Sequence, residues 1–264
     1  MSAHPGGKIR GNQKLDMDFR KIFNTIPEKF DKYRPRYCNE LFSDLIDFAT
    51  LTPCKTVLEV GPGTGQATAP ILKTGCSYLA IELGENFVEF MTTKFGAYDN
   101  FSIVNADFET YDFSGEQFDL VYSAAAFQWI PENLGYPKAF NILKSGGVFA
   151  MFSGNGGVPD EPLHTQCQEV YKKHFFPETP YTCDLDYSTS YKYGFINLEQ
   201  RVYKSFREMN ADDFVALRGT HSDHLTLQEP HKTNVFEGLR QVVINNGNYI
   251  KLNDVYTLYL ARKP

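Results

Sequence analysis

The 264-residue chain is poor in tryptophan, with Trp129 alone, and holds only five cysteines. The cysteines are odd in number, widely spaced and form no Cys-x-x-Cys. That argues against a disulfide framework and a thiolate zinc cluster, and reduced thiols in a cytoplasmic protein are expected. No run of about 18 apolar residues occurs, so no membrane span is expected. Met1 to Gly11 is polar and glycine-rich, without the apolar stretch of a secretory signal. No cluster of Lys or Arg stands out and the net charge is −6, which disfavours DNA or RNA as a partner. Internal repeats and low-complexity segments are absent as well.

Aromatics are plentiful at 15%, with 22 Phe and 16 Tyr, and hydrophobic residues reach 42%. That supports a sizeable core and an aromatic-lined pocket, in one large domain or one domain with an elaborated segment. The chain is organised around Val57-Leu58-Glu59-Val60-Gly61-Pro62-Gly63-Thr64-Gly65-Gln66. An apolar run interrupted by a carboxylate, then three glycines at alternate positions, then helix-compatible residues read as strand, tight turn, helix. Glycine lets a ligand approach the backbone, and the helix start offers unpaired N–H groups. The dinucleotide fingerprint G-x-G-x-x-G has a different spacing. An ordinary β-α turn carries such glycines too, so the residues further along the chain decide.

A buried parallel strand is expected from Lys55 to Val60. A second, Ser77 to Glu82, ends in a carboxylate and turns through Leu83-Gly84 into a helix carrying Phe87, Val88, Met91 and Phe95. A third, Phe101 to Val104, leads into Asn105-Ala106-Asp107-Phe108. A fourth, Gln117 to Ser123, opens into a loop of small residues followed by Phe127-Gln128-Trp129. A helix end, the turn Lys144-Ser145-Gly146-Gly147 and a fifth strand come next. Ahead of all this, Phe30 to Tyr37 contains Tyr33-Arg34-Pro35-Arg36-Tyr37, and a helix with Leu41, Phe42, Leu45, Ile46 and Ala49 on one face comes after it.

Glu59-x-Gly61-x-Gly63-x-Gly65 resembles motif I of the class I methyltransferases that use S-adenosylmethionine (SAM). Over residues 30–155 the remaining motifs occur in that family's order and spacing. The Tyr-Arg-Pro-x-Tyr string resembles one in small-molecule enzymes of the trans-aconitate type, and the ubiquinone-menaquinone methyltransferase-like domains are similar. The resemblance implies a Rossmann-like three-layer α/β/α sandwich, with a mostly parallel seven-stranded sheet and an antiparallel terminal hairpin. It implies SAM as cofactor, S-adenosylhomocysteine (SAH) as product, and no metal.

By that resemblance Glu59, Gly61, Gly63, Gly65 and Gln66 shape the cofactor turn. Glu82 and Leu83 hold ribose, and Asp107 and Phe108 take adenine. Ser123, Phe127 and Gln128 flank the methionine and methyl end. For each there is a plainer alternative: a surface acid at a strand end for Glu82, a turn Asp bonding its own backbone for Asp107. The loop after the fourth strand lacks the Asn/Asp-Pro-Pro-aromatic string of enzymes acting on nucleobase amines. It looks like the pattern of small-molecule methyltransferases. Ser145 stands where that family usually has Pro.

Beyond residue 155 the pattern weakens. A helix is expected over Leu163 to His174, and Phe175 to Phe195 is irregular and aromatic, with Asp184 and Asp186. A strand is expected at Asn197 to Phe206, a helix at Ala211 to Arg218 capped by Asn210, a helix at Val235 to Ile244, and a closing strand at Val255 to Ala261. Thr220-His221-Ser222-Asp223-His224 offers at most three metal ligands, or a substrate loop with a base. Tyr33, Arg34, Trp129, His221 and His224 are the pocket candidates, against the plainer readings of helix capping, core packing and a polar loop end.

The expected organisation is a flexible lead-in over 1–29, a core over 30–155, a substrate-covering elaboration over about 156–247 and a terminal strand over 248–264. The expected function is methyl transfer to a small molecule, a carboxylate being one acceptor, by a monomer or homodimer. The alternatives are a nucleoside-binding module without turnover and an NAD(P)-dependent oxidoreductase.

Overall fold

The structure is a computed structural model that describes residues 19–177 and 186–264. At its centre lies β1 (Thr56–Val60), hydrogen-bonded in parallel to β2 (Ser77–Glu82) on one side and β4 (Phe118–Ala124) on the other. The strand β3 (Phe101–Asn105) extends the sheet beyond β2, and β5 (Leu143–Gly154) extends it beyond β4, still parallel. The direction of sheet growth therefore reverses between β1 and β4. In open α/β sheets that switch point is where ligands bind, outside the strands' carboxyl ends.

The far edge is antiparallel. The two-residue strand β6 (Val158–Pro159) and the long β7 (Ile196–Met209) both pair with β8 (Ile250–Arg262), which also runs antiparallel to β5. The expected terminal hairpin is present. Among the described residues the sheet has eight strands rather than seven, the extra one being β6, whose two residues carry no alternation that a sequence reading could detect.

Alternation along β1 sends Val57 to one face and Leu58 to the other. The first face is covered by α2 (Asn39–Ala49), α3 (Thr68–Leu72) and α4 (Glu85–Phe95) through Leu41, Leu45, Ile71 and Met91. The second is covered by α5 (Glu132–Ile142) through Tyr136, Ala139 and Ile142. A third apolar cluster joins α6 (Leu163–His174), α7 (Ala211–Arg218) and α9 (His231–Asn245) to the start of β8. Between α7 and α9 lies the single turn α8 (Ser222–Leu225).

Local chemistry matches these boundaries. Thr50 ends α2 in the left-handed region, and Asn210 caps α7 by accepting from the Asp213 amide at 2.9 Å. Asp119, at the amino end of β4, accepts from Lys55 Nζ (2.9 Å), the Thr56 amide (2.9 Å) and Lys144 Nζ (2.7 Å). Burial opposes its ionisation, but those donors hold the carboxyl well below its ordinary range. The carboxylate thus ties three strands together at the end opposite the switch point.

Residues 19–29, expected as part of a flexible lead-in, are helical instead. Phe19–Thr25 forms a 3-10 helix and α1 (Pro27–Tyr33) starts on a proline, whose fixed φ suits a first turn. Residues 1–18 and Asp184 lie outside the described residues. Asp186 caps the 3-10 helix Tyr187–Tyr193 by accepting from the Ser188 amide. Among the described residues no helix is long and apolar enough to cross a membrane.

Candidate active site

The turn after β1 lies at the switch point. Gly61, Gly63 and Gly65 all have positive φ, between +57° and +80°. At Gly61 a Cβ would sit 2.5 Å from the Cβ of Ala126, so any side chain there collides with the loop after β4. That contact brings the β1 and β4 loops together. The Gly61 amide donates to the Ile81 carbonyl at 2.9 Å and prolongs the pairing of β1 with β2 into the turn.

Glu82, at the end of β2, faces the same turn. Its carboxylate accepts from the Gly63 amide at 3.0 Å and from the Gly84 amide at 2.9 Å. Burial raises its pKa, and the backbone N–H groups counter part of that rise. Each oxygen keeps a lone pair for a further donor. Leu83 is half-buried and lends its carbonyl to Asn105 Nδ2 at 3.2 Å. One strand further on, Asp107 accepts from Arg20 at 2.8 Å and from the Glu109 amide at 2.9 Å.

Glu59 occupies a different place. Alternation puts its side chain on the Val57 face, beneath α3, where it is fully buried. Its Oε2 accepts from Thr68 Oγ1 at 2.5 Å and from the Tyr78 hydroxyl at 2.5 Å, and Tyr78 in turn bonds Tyr122. Oε1 has no partner. Burial lifts the carboxyl to about 7, with the hydroxyls of Thr68, Tyr78 and Tyr122 pulling the other way. Glu59 therefore braces the turn from behind.

The loop after β4 is tightly held. Ser123 Oγ donates to the Val60 carbonyl at 2.8 Å, tying β4 to the end of β1. Ala125 takes φ +54°. Gln128 Nε2 folds back to the Ala125 carbonyl at 2.9 Å, which leaves its buried Oε1 without a hydrogen bond. Phe127 and Phe108 are both buried and pack on each other, centroids 6.2 Å apart, so they back the wall of the crevice. Trp129 is half-buried and meets Phe23 edge-on at 6.2 Å.

The first helical segments cover this crevice. Arg20 reaches Glu109 at 2.6 Å as well as Asp107. Asn24 Oδ1 accepts from the Asn86 amide at 2.8 Å, capping α4 from a distance of 62 residues in sequence. The Phe30 ring lies 3.6 Å from where a Gly63 Cβ would be. Gln66 Nε2 donates to Thr64 Oγ1 at 2.6 Å and reaches the Phe30 carbonyl at 3.5 Å. Sequence reasoning missed Arg20, Asn24 and Phe30, because isolated residues in a polar stretch carry no periodicity. Tyr78 and Tyr122 left a signal: phenols on buried strands need a polar partner, and Glu59 is the carboxylate between them.

The pocket candidates divide. Tyr33 packs against the third apolar cluster. Arg34 turns the other way, its guanidinium 4.8 Å from the Phe30 ring centroid, and donates to the Thr220 carbonyl at 2.6 Å. The possible ligand atoms of His221, Asp223 and His224 lie within 4.8 Å of one another. His224, however, spends Nδ1 on Asp223 at 2.8 Å and Nε2 on the Tyr171 hydroxyl at 3.2 Å. Burial pushes the His221 imidazole well below its ordinary pKa, and Arg34 and Arg218 add to that shift. A cation would meet the same guanidinium field.

The geometry is that of a glycine turn at a switch point, with the buried Glu82 at the end of β2 and the half-buried Asp107 just after β3. A family described as "Methyltransferase domain" matches residues 58–151, from within β1 to within β5. Residues 58–151 thus carry a methyltransferase domain, and the fold around it is that of the class I methyltransferases. Ribosomal RNA small subunit methyltransferase A of Dehalococcoides mccartyi is 44% identical over 59 residues, which is 22% of this chain and 20% of that protein. Malonyl-[acyl-carrier protein] O-methyltransferase of a Marinomonas species is 27% identical over 146 residues, 53% of each chain. The chain thus spans between a fifth and about half of these relatives' length. Among solved structures, the methyltransferase domain and its surroundings superpose on phosphoethanolamine N-methyltransferase 2 of Haemonchus contortus with TM-score 0.56 and 16% identity. That match covers 94% of this chain and 60% of the other, which holds phosphomonomethylethanolamine and S-adenosylhomocysteine.

Proposed function

We propose that the protein transfers a methyl group from SAM to a small-molecule acceptor. The observation that carries this reading is the glycine turn at the β1/β4 switch point held by the buried Glu82 carboxylate. Residues and cofactor fit: Gly61 and Gly65 let the turn pack tightly against Ala126, Met91 and Phe95, Gly63 leaves open space beneath the Phe30 ring, and Glu82 and Asp107 retain acceptor capacity. In this assignment Glu82 takes the ribose hydroxyls as charge-assisted hydrogen bonds, and Asp107 takes the adenine amine once Arg20 gives way. Gly61, Gly63, Gly65 and Gln66 line the methionine side, and Leu83 lines the ribose side. Ser123 and Gln128 fix the loop at the methyl end, Phe108 and Phe127 back the crevice, and Glu59 keeps the turn in shape.

A bound SAM supplies an activated methyl sulfonium, so the chain's own task is positioning and exclusion of water. Phe23, Phe30 and Trp129 form an aromatic cover suited to that task. A carboxylate acceptor needs no base, whereas a phenol, amine or carbon acid uses one. His221 is our candidate for that role, as a weak base, because burial and the nearby guanidiniums lower its pKa. We assign the cofactor to the crevice built by β1 to β4 and the covering helices, and the acceptor to residues 156–247 together with the segment around Tyr33 and Arg34.

A small acceptor rather than RNA is favoured by the net charge of −6 and by the Ala124-Ala125-Ala126 loop at the end of β4. The test is calorimetric titration with SAM, SAH, NAD and NADP. Micromolar binding of the two sulfur nucleotides and of neither dinucleotide is expected. Binding of a dinucleotide alone overturns the assignment, and SAM binding without turnover across an acceptor panel leaves a nucleoside-binding module.

A further inference from the structure

Around the carboxyl ends of β4 and β5, three arginines converge where the described residues supply one carboxylate partner. Arg207 is paired: its guanidinium grips the buried Asp254 through Nε at 2.6 Å and Nη2 at 2.9 Å. Asp254 occupies an inward position of β8, in the row Leu252-Asp254-Tyr256-Leu258, so its charge requires that fork. Arg34 and Arg218 make no ion pair among the described residues. Arg218 donates to the carbonyls of Gly156 (3.3 Å) and Gly157 (2.8 Å), and Arg34 donates to that of Thr220. In both, the buried Nε has no hydrogen-bond partner. The nearby Asp223 is engaged by His224.

The unpaired groups meet in one place. Residues 218–221 carry Arg218, the Thr220 carbonyl and His221 in a single turn. Across from them the Gly156-Gly157 pair, both at φ +77°, turns its carbonyls toward Arg218. A Cβ on Gly156 would lie 3.6 Å from His221 Cε1, so glycine there leaves room beside the imidazole. The His221 ring makes no hydrogen bond among the described residues. Arg34, Arg218 and His221 are each half-buried, keeping some accessible surface amid the surrounding protein. Burial lowers Arg34 to about 10, Tyr37 and Asp223 oppose that shift, and Arg218 and Arg207 add to it. Two half-buried guanidiniums without an ion-pair partner among the described residues offer donors to an anion.

We propose that Arg34 and Arg218 form the anchor for an anionic oxyacid group, a carboxylate or phosphate, on the methyl acceptor. This rests on the small-molecule methyltransferase reading above. Planar guanidiniums match both oxyanions with paired N–H donors. His221, uncharged beside them, offers one further donor or acceptor to the same molecule. The site adjoins the cofactor turn, because the Phe30 ring lies between Gly63 on one side and the Arg34 guanidinium on the other. A neutral apolar acceptor would leave both charges unpaired and is selected against.

The full chain is titrated with succinate and with inorganic phosphate, each with and without SAH. Saturable binding of at least one probe is expected, weakened about ten-fold or more by Arg218→Gln and by Arg34→Gln, while the SAH affinity stays within about two-fold. A preference for succinate identifies a carboxylate group, and a preference for phosphate identifies a phosphate ester. Because Arg218 also holds two glycine carbonyls, the wild-type chain is modified with phenylglyoxal in parallel. Protection of Arg34 and Arg218 by the probe, read by mass spectrometry, is expected. Absence of saturable binding to the wild type, equal binding by the variants, or no protection overturns the anchor. Failure of SAH to bind overturns the cofactor reading instead, and the titration without SAH then still decides on the anchor.

Discussion

The two ends of the central β1–β4 pair make an instructive contrast. At the amino end Asp119 is surrounded by Lys55, Lys144 and the Thr56 amide, and is held ionised. At the carboxyl end Glu59 has only hydroxyl donors and full burial, and its carboxyl rises to about 7. One acid is matched to cations and serves the sheet. The other is left short of donors beside the turn we assign to the cofactor. The first end can be polar and closed, whereas the second keeps unspent acceptors, and functional sites are built from such unspent capacity.

The sharpest way to break this contrast is Glu82→Ala. It removes the acid that holds the turn and that we assign to the ribose, and SAM binding should fall by about 100-fold or more, the worth of two charge-assisted bonds. Calorimetry reads the loss, and circular dichroism should show the fold retained. Normal SAM binding by the variant would move the ribose elsewhere.

Next in size is Glu59. Truncation to Ala leaves Thr68, Tyr78 and Tyr122 without their shared acceptor and should cost about 2–3 kcal/mol in denaturant melts. Its pH signature has a definite sign. The folded chain keeps a proton on Glu59 between its ordinary value of 4.5 and about 7, while the unfolded chain has released it. Glu59 therefore makes stability fall as pH rises through that window, by at most about 1.4 kcal/mol per unit. The difference between wild type and Glu59→Gln, followed from pH 4.5 to 7, isolates that slope. Parallel curves would place the proton elsewhere.

The smallest effect belongs to Arg20. Its pairs with Asp107 and Glu109 are partly exposed and add little stability, under about 1 kcal/mol. Arg20→Ala should leave the melting temperature nearly unchanged and tighten SAM binding a few-fold, because Asp107 no longer exchanges one partner for another. Weaker binding in the variant would make Arg20 a contributor to the site rather than a competitor.

How far the residues alone could be read depends on the range of the interactions. The strand Ser77–Glu82 and the helices Leu163–His174 and Ala211–Arg218 fall where alternation, helical periodicity and the Asn210 cap place them. The glycine turn was legible too, since local backbone geometry demands those residues. Glu59 could be located in the chain, but its role required knowing that Thr68, Tyr78 and Tyr122 surround it. Arg20 over Asp107, Asn24 over α4, and Arg34 beside His221 are contacts between distant segments with no repeating pattern, so no window of sequence contains them.

By itself the sequence determined the order of β1 to β5 and the helices between them, the turn after β1 and the acids at the ends of β2 and β3, because each depends on neighbours within a few residues. Only the tertiary structure decided that the first helices close over that turn and that Glu59 faces inward among tyrosines. The same holds for the meeting of Arg34 and Arg218 around the turn at Thr220 and His221. The physical reason is that burial and charge pairing are properties of the space between segments, and that space exists only once the sheet has assembled.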